Sequence, residues 1–143
     1  MGTHNHDLTD PSIFSHWVED TIRFGDMDAT GHVNNVSFAR YIESGRVPFM
    51  RSDFMPHFDG DRQRFLVAHL AIHFRAQAFW PGKARIGTRV ISVGRTSCTL
   101  GHTVMVDDLC VCTGETVMVY AEHGKSAPLP DQSRERLVEL AAS

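Results

Sequence analysis

Nowhere does this sequence approach the ~20 consecutive apolar residues that a bilayer-spanning helix needs. Its opening residues also lack a basic segment followed by an apolar one, so the expected compartment is the cytoplasm. Basic residues are too few for a nucleic-acid protein: 14 Lys and Arg stand against 17 Asp and Glu, a formal net charge of −3 that offers no cationic face to a phosphate backbone. Any anionic ligand must therefore be met by a few local cations. Cysteine is scarce as well. Cys98, Cys110 and Cys112 are an odd number, which argues against a disulfide framework. Cys110 and Cys112 point to one face of a presumed strand, where a bond between them is geometrically awkward. No second Cys or His pair sits at zinc spacing, so reduced structural thiols are expected and no metal. Internal repeats and low-complexity linkers are absent.

What is present suits one globular unit. A chain of 143 residues, 42% of them hydrophobic, buries roughly 70% of its unfolded surface in a single core. Residues 1–14 are polar and read as a disordered or extended lead-in, where His4 and His6 could hold only adventitious metal. Residues 15–143 form the expected domain. Trp17, Ile22 and Phe24 alternate with polar residues in an opening strand that ends at Gly25, and 25–35 reads as a loop. Phe38, Ile42, Gly45 and Phe49 then share one helical face, with Arg40, Glu43 and Arg46 largely elsewhere, which predicts a helix starting at Asn34 or Asn35. Pro48 lacks an N–H and disfavours the helical conformation at Val47, so the helix is expected to kink or stop there, with a looser connection to about residue 62.

The period then changes. Residues 64–77, 83–93, 96–106 and 110–123 alternate or run apolar and are separated by turn signals at Trp80-Pro81-Gly82, Val93-Gly94 and Asp107-Asp108. They predict four consecutive strands, antiparallel through short connections. A short helix is expected over 131–141. The fold class is therefore α+β, an antiparallel sheet curled around a central helix. Its exposed edges call for a twofold partner, a homodimer or larger even assembly such as a homotetramer. On β-strand spacing, His69 and His73 are expected to be partly buried, and Phe79 and Trp80 to serve loop packing or dimer contact.

The loop before the helix gathers two carboxylates, two glycines, a histidine and two asparagines. Free N–H groups and the positive dipole end of a helix can receive the charge that grows on a carbonyl oxygen under attack. A carboxylate beside them can attack an acyl carbon or take the proton from a water that does. A thioester is a suitable target, because sulfur gives its carbonyl little resonance and leaves readily as thiolate. Asp26-X-Asp28 lacks the phosphate-cradling glycine loop of a Mg²⁺-dependent transferase.

The run Phe24-Gly25-Asp26-Met27-Asp28-Ala29-Thr30-Gly31-His32-Val33-Asn34-Asn35, followed by 38–46, resembles the signature of the 4-hydroxybenzoyl-CoA thioesterase-like branch of hot-dog fold proteins. The resemblance extends loosely over residues 16–132. It implies a hot-dog fold, a five-stranded antiparallel sheet around a long helix. It also implies an acyl-CoA thioesterase needing no cofactor or metal, with an acyl-carrier-protein thioester as a close variant substrate. By the same resemblance Asp28 is the catalytic carboxylate and Asp26 supports it. Backbone amides after Gly31, around Val33 to Val36, receive the oxyanion, with Asn34 and Asn35 capping or orienting that site. His32 is a pocket or structural residue. Arg95 and Thr96 in a strand turn, Lys125 after the last strand, and Arg89 are the candidates for CoA phosphates. Glu43 is the rival acid on the helix, though pairing with Arg40 or Arg46 accounts for it. The alternatives are a non-hydrolytic acyl-CoA-binding hot-dog protein and, without the histidine and acid arrangement it requires, a hydratase or dehydratase. Acyl length and aromatic or aliphatic preference are not legible in these residues.

Overall fold

The computed structural model of the chain describes residues 6–54 and 63–143. Strand β1 (His16–Ile22) leads through a loop to helix α1 (Asn35–Asp53), and strands β2 (Gln63–Phe74), β3 (Gly82–Val93), β4 (Ser97–Val106) and β5 (Leu109–Glu122) follow. A two-residue strand β6 (Lys125–Ser126) and helix α2 (Asp131–Ala142) complete the order. The long strands form one antiparallel sheet in the order β1-β3-β4-β5-β2, with β6 paired to β5 beyond the end of β4.

The sheet is not the run of sequential neighbours that the turn signals suggested. Two- and three-residue turns fold β3, β4 and β5 into hairpins, but β2 lies at the far edge against β5. Residues 75–81 connect β2 to β3. Extended, seven residues reach about 23 Å, enough to cross the three strand spacings of roughly 4.8 Å that separate these strands. Bulges in the β2–β5, β3–β4 and β4–β5 ladders add local twist that helps the sheet curl.

Helix α1 lies in the curl against β1, β3 and β4. Ala84, Ile86 and Val90 of β3 and Leu100 and Val104 of β4 turn toward it and are buried with Phe38, Tyr41, Ile42 and Phe49. Gly45 makes the approach possible, since a Cβ there would stand 2.9 Å from Ile86 Cβ. Contrary to expectation, α1 runs through Pro48 for five more residues. Phe49, Met50 and Phe54 are buried in the cluster that contains Val90, Leu100 and Tyr120. At roughly 2 kcal/mol each their burial outweighs the ~3 kcal/mol cost of an internal proline. Leu137 of α2 is buried in the same cluster.

Three further expectations change. Of the lead-in, residues 6–14 belong to the folded body: Pro11–Ile13 is a 3-10 turn capped by Asp10, and Phe14 packs where Gly87 leaves room on the outer face of β3. Residues 1–5, including His4, and the connection over 55–62 lie outside the described residues. His69 and His73 are exposed, because β2 is an edge strand. Arg46 is buried on the apolar side of α1 rather than displayed with Arg40 and Glu43. The cysteines are free thiols, and burial pushes those of Cys98 and Cys112 up to about 12. No helix among the described residues is long and apolar enough to cross a membrane. The architecture is the hot-dog fold, a curled antiparallel sheet around a long helix.

Candidate active site

Asp26 and Asp28 occupy one loop and meet different surroundings. Asp26 closes a 3-10 turn over Phe24–Asp26 and is 2% exposed. Its Oδ2 accepts the Arg23 N–H at 2.9 Å and the Tyr41 hydroxyl at 2.6 Å, and Arg40 Nη2 stands 3.5 Å from Oδ1. Its carbonyl accepts the Asn34 N–H at 2.9 Å and the Ser37 hydroxyl at 3.3 Å. Burial works to raise the Asp26 carboxyl, but the Arg23 and Tyr41 hydrogen bonds and the Arg40 charge together hold it below the usual carboxylate value. Tyr41 is pushed up by burial and by donating to that carboxylate. Asp26 thus bolts the loop to the first two turns of α1. Ser37 and Tyr41, both missed from sequence, are four residues apart on one helical face, and that spacing was the signal available.

Asp28 is exposed at the tip of the same loop. Its Oδ1 accepts the Thr30 N–H at 2.9 Å and also the Thr30 hydroxyl, whose oxygen lies 2.9 Å from His32 Nε2. These bonds, the Thr30 hydroxyl first, with His32 nearby, hold the Asp28 carboxyl below its ordinary value. The turn closes through Gly31 N–H to Asp28 O at 3.1 Å, with Gly31 at φ +88°, a conformation that strains residues with a Cβ. Asp28 N–H returns to His32 O at 3.1 Å, and Met27 bridges Val33. Both hydrogen bonds to the Asp28 carboxylate fall on Oδ1.

The expected oxyanion amides are mostly committed. Val33 N–H donates to Ala78 O at 2.8 Å, Asn34 N–H to Asp26 O, and Val36 N–H to the capping Asn34 Oδ1 at 3.0 Å. Ser37 N–H donates to Asn34 O at 2.9 Å. Among the described residues the Asn35 N–H, the first of the helix, has no acceptor. Asn34 is the cap, and Asn35 is the first helical residue.

Around the loop the surface is aromatic and open. Phe24 and Trp80 meet edge to face with centroids 5.2 Å apart, both exposed, and the Trp80 N–H points to Met27 Sδ at 3.4 Å. Glu43 is exposed and pairs with Arg46 at 3.8 Å, whereas Arg40 serves Asp26.

The basic candidates lie elsewhere. Arg95 and Thr96 sit in the β3–β4 turn and Lys125 in β6; Leu129 N–H binds Arg95 O and Tyr120 N–H binds Thr96 O, which brings these residues to one end of the sheet. The Asp28 loop follows β1, whose last residue pairs with the first of β3. The whole of β3, roughly 36 Å of strand, therefore separates loop and turn within one chain. Arg89 is 9% exposed, and its guanidinium donates to Ile13 O at 2.9 Å and Ser143 O at 3.0 Å, clamping the two terminal segments. Among the described residues no three His, Cys, Asp or Glu side chains gather as metal ligands.

Residues 22–137 match the family described as the thioesterase-like superfamily. A thioesterase from Thermus thermophilus, solved in complex with coenzyme A and Zn, superposes with a TM-score of 0.82 and 30% identity over 91% of this chain and 96% of that one. A thioesterase superfamily structure from Jannaschia sp. CCS1 has a TM-score of 0.83 at 25% identity, over 92% and 86% of the two chains. The uncharacterized protein YsmA of Bacillus subtilis strain 168 is 28% identical over 129 residues, 87% of this chain and 86% of that one.

Proposed function

The chain belongs to the thioesterase-like superfamily, and from that premise we propose that it hydrolyses an acyl-CoA in the cytoplasm to a carboxylate and free CoA, with Asp28 as the reacting acid. The observation that carries this reading is the pairing of an exposed, ionised Asp28 with a helix start that retains one unmet donor, the Asn35 N–H. The carboxylate either adds to the thioester carbon, and the adduct expels CoA thiolate to leave a mixed anhydride that water then opens, or it removes a proton from the attacking water. In both routes negative charge develops on the carbonyl oxygen, where the Asn35 N–H and the helix dipole stabilise it. Thr30 and His32 keep the acid oriented and ionised. CoA as the thiol is supported by the Thermus relative, solved with coenzyme A; an acyl-carrier-protein thioester presents the same reacting group.

The active assembly in this reading is a dimer. Strand β2 is a 12-residue edge with Leu66, Val67 and Leu70 exposed, a length and composition that invite pairing. Antiparallel pairing with a second β2 reverses the ends: the Phe74 end, beside Phe38 at the start of α1, meets the partner's Phe65 end, beside Phe54 at the end of α1. One subunit's Asp28 loop then approaches the other's Arg95, Thr96 and Lys125, which supply cations and a hydroxyl for the CoA phosphates. This relieves the separation within one chain.

The test is thiol release from short, long and aromatic acyl-CoA esters by wild type, Asp28→Asn and Glu43→Gln. Turnover abolished in Asp28→Asn and retained in Glu43→Gln is the expected result; loss only in Glu43→Gln moves the chemistry to the helix. Sedimentation at twice the 16.0 kDa chain mass, reverting to monomer in Leu70→Lys, tests the β2 pairing.

A further inference from the structure

A cavity of about 420 Å³ opens between the second half of α1 and strands β2 and β5, with Met50, Phe65, Val67 and Met118 as its apolar lining and Arg46 and Arg51 as its cations. Arg46 is 6% exposed. Among the described residues its one ionic partner, Glu43, is 3.8 Å away and turned to solvent, and its Nη1 has no acceptor. The neutral His102 close by supplies no counter-charge: its Nε2 lies 2.8 Å from Thr116 Oγ1 and its Nδ1 3.4 Å from Thr88 Oγ1. Arg51 is exposed, without an ion pair among the described residues. The cavity therefore combines walls that suit methylene groups with a guanidinium largely shielded from water and incompletely compensated.

We propose that this cavity receives the far end of the acyl group and selects thioesters whose acyl chain terminates in a carboxylate. The proposal rests on the thioesterase reading and names its substrate class. A methyl-terminated chain entering here removes the remaining water from Arg46 and returns no acceptor, whereas a carboxylate returns both charge and lone pairs. Sites with a desolvated polar group reject analogues lacking its partner more strongly than apolar pockets reject a missing methylene. The nucleotide phosphates are a poorer fit to this lining, and Arg95 and Lys125 lie outside it. Within one chain Arg46 is 11 residues, about 16 Å, along α1 from the Asn35 amide; pairing through β2 brings the partner's helix start toward the same cavity.

The ratio of kcat/KM for adipoyl-CoA to that for hexanoyl-CoA, equal in carbon count and different in the terminal group, tests this. Wild type is expected to favour adipoyl-CoA by about tenfold or more, the effect of one charge-assisted hydrogen bond. Arg46→Met should remove the preference and Arg51→Met reduce it, while Lys83→Met, which deletes a positive charge elsewhere, should leave the ratio in place. A ratio near one in wild type, or an unchanged ratio in Arg46→Met, overturns the proposal. Should Arg46→Met not fold, Arg46→Gln, which keeps a hydrogen-bond donor without the charge, should bring the ratio toward one, and Arg51→Met should lower it; an unchanged ratio in both overturns the proposal. If wild type releases thiol from neither ester, calorimetric titration with the two decides the subsite alone: tighter binding of adipoyl-CoA, lost with Arg46, supports it, and equal binding sinks it; the thioesterase reading itself fails when the wider panel of short, long and aromatic esters is also untouched.

Discussion

The inner half of the loop over residues 23–34, built on Asp26, and its outer half, built on Asp28, hold the same functional group in opposite ways. Asp26 is inside the protein, and its hydrogen bonds join segments far apart in sequence, with Tyr41 on the helix and Arg23 at the end of the first strand. Asp28 is outside, and its bonds go two residues along to Thr30. Both carboxyls are held ionised, one against desolvation and one with little to overcome. A carboxylate enclosed by donors cannot approach a substrate, while one ordered by its own turn can. The loop therefore uses one acid as an anchor and presents the other to solvent, the disposition that the proposed chemistry at Asp28 requires.

The largest effect that separates the halves is expected at the outer acid. Asp28→Asn should lower kcat/KM for a hydrolysed acyl-CoA by about 10²–10⁴-fold and leave the thermal unfolding midpoint in place; a matching fall in the midpoint would erase the distinction. Asp26→Ala should do the reverse in emphasis. With the Tyr41 hydroxyl and the Arg23 N–H left unmet, stability to denaturant should drop by about 3 kcal/mol, and activity should fall only as loop and helix lose register.

Tyr41→Phe sharpens the inner half by removing one donor. The expected loss is about 1–2 kcal/mol at neutral pH, and it has a pH signature. Because the folded Asp26 carboxyl lies below its ordinary value of 3.8, its contribution is full above that value and disappears as pH falls through the folded one. Wild type and Tyr41→Phe should therefore converge in acid, as urea titrations between pH 7 and pH 2 would record. The smallest effect belongs to Thr30→Val. Without the hydroxyl the Asp28 carboxyl rises toward its ordinary value, so the acid limb of the kcat/KM profile should move to higher pH while the rate at pH 7 stays within about twofold. An unmoved limb would mean that Asp28 is not the titrating group.

A second pH effect is independent of the loop. Burial lowers His102 to about 3 from 6.5, so below pH 6.5 the unfolded chain takes a proton that the folded one refuses. Stability should decline from pH 6.5 toward pH 3, and His102→Gln should flatten that slope in the same titrations.

Much of this was legible before folding. The helical face of Phe38, Ile42, Gly45 and Phe49, the strand periods and the turn residues depend on neighbours one to four positions apart, and local backbone geometry decides them. The loop and its two acids were found the same way, with a family resemblance pointing to Asp28. Three outcomes could not be read locally, and a fourth could. Strand β2 lies beside β5, because a strand's period does not name its neighbour. The helix continues through Pro48, because aromatic burial at Phe49 and Phe54 outweighs a local penalty. Arg89 is spent on the terminal segments. Arg46 is buried, although its place one turn beyond Ile42 and three residues before Phe49 was a signal in plain view.

What the sequence determined by itself, then, is where the central helix begins, where the long strands and their turns lie, and that two carboxylates precede the central helix, since those depend on short-range sterics and periodicity. Only the tertiary structure decided which acid is enclosed, which helix-start amide is left without an acceptor and which arginine is largely shielded from water, because desolvation and long-range hydrogen bonding exist only once distant segments meet.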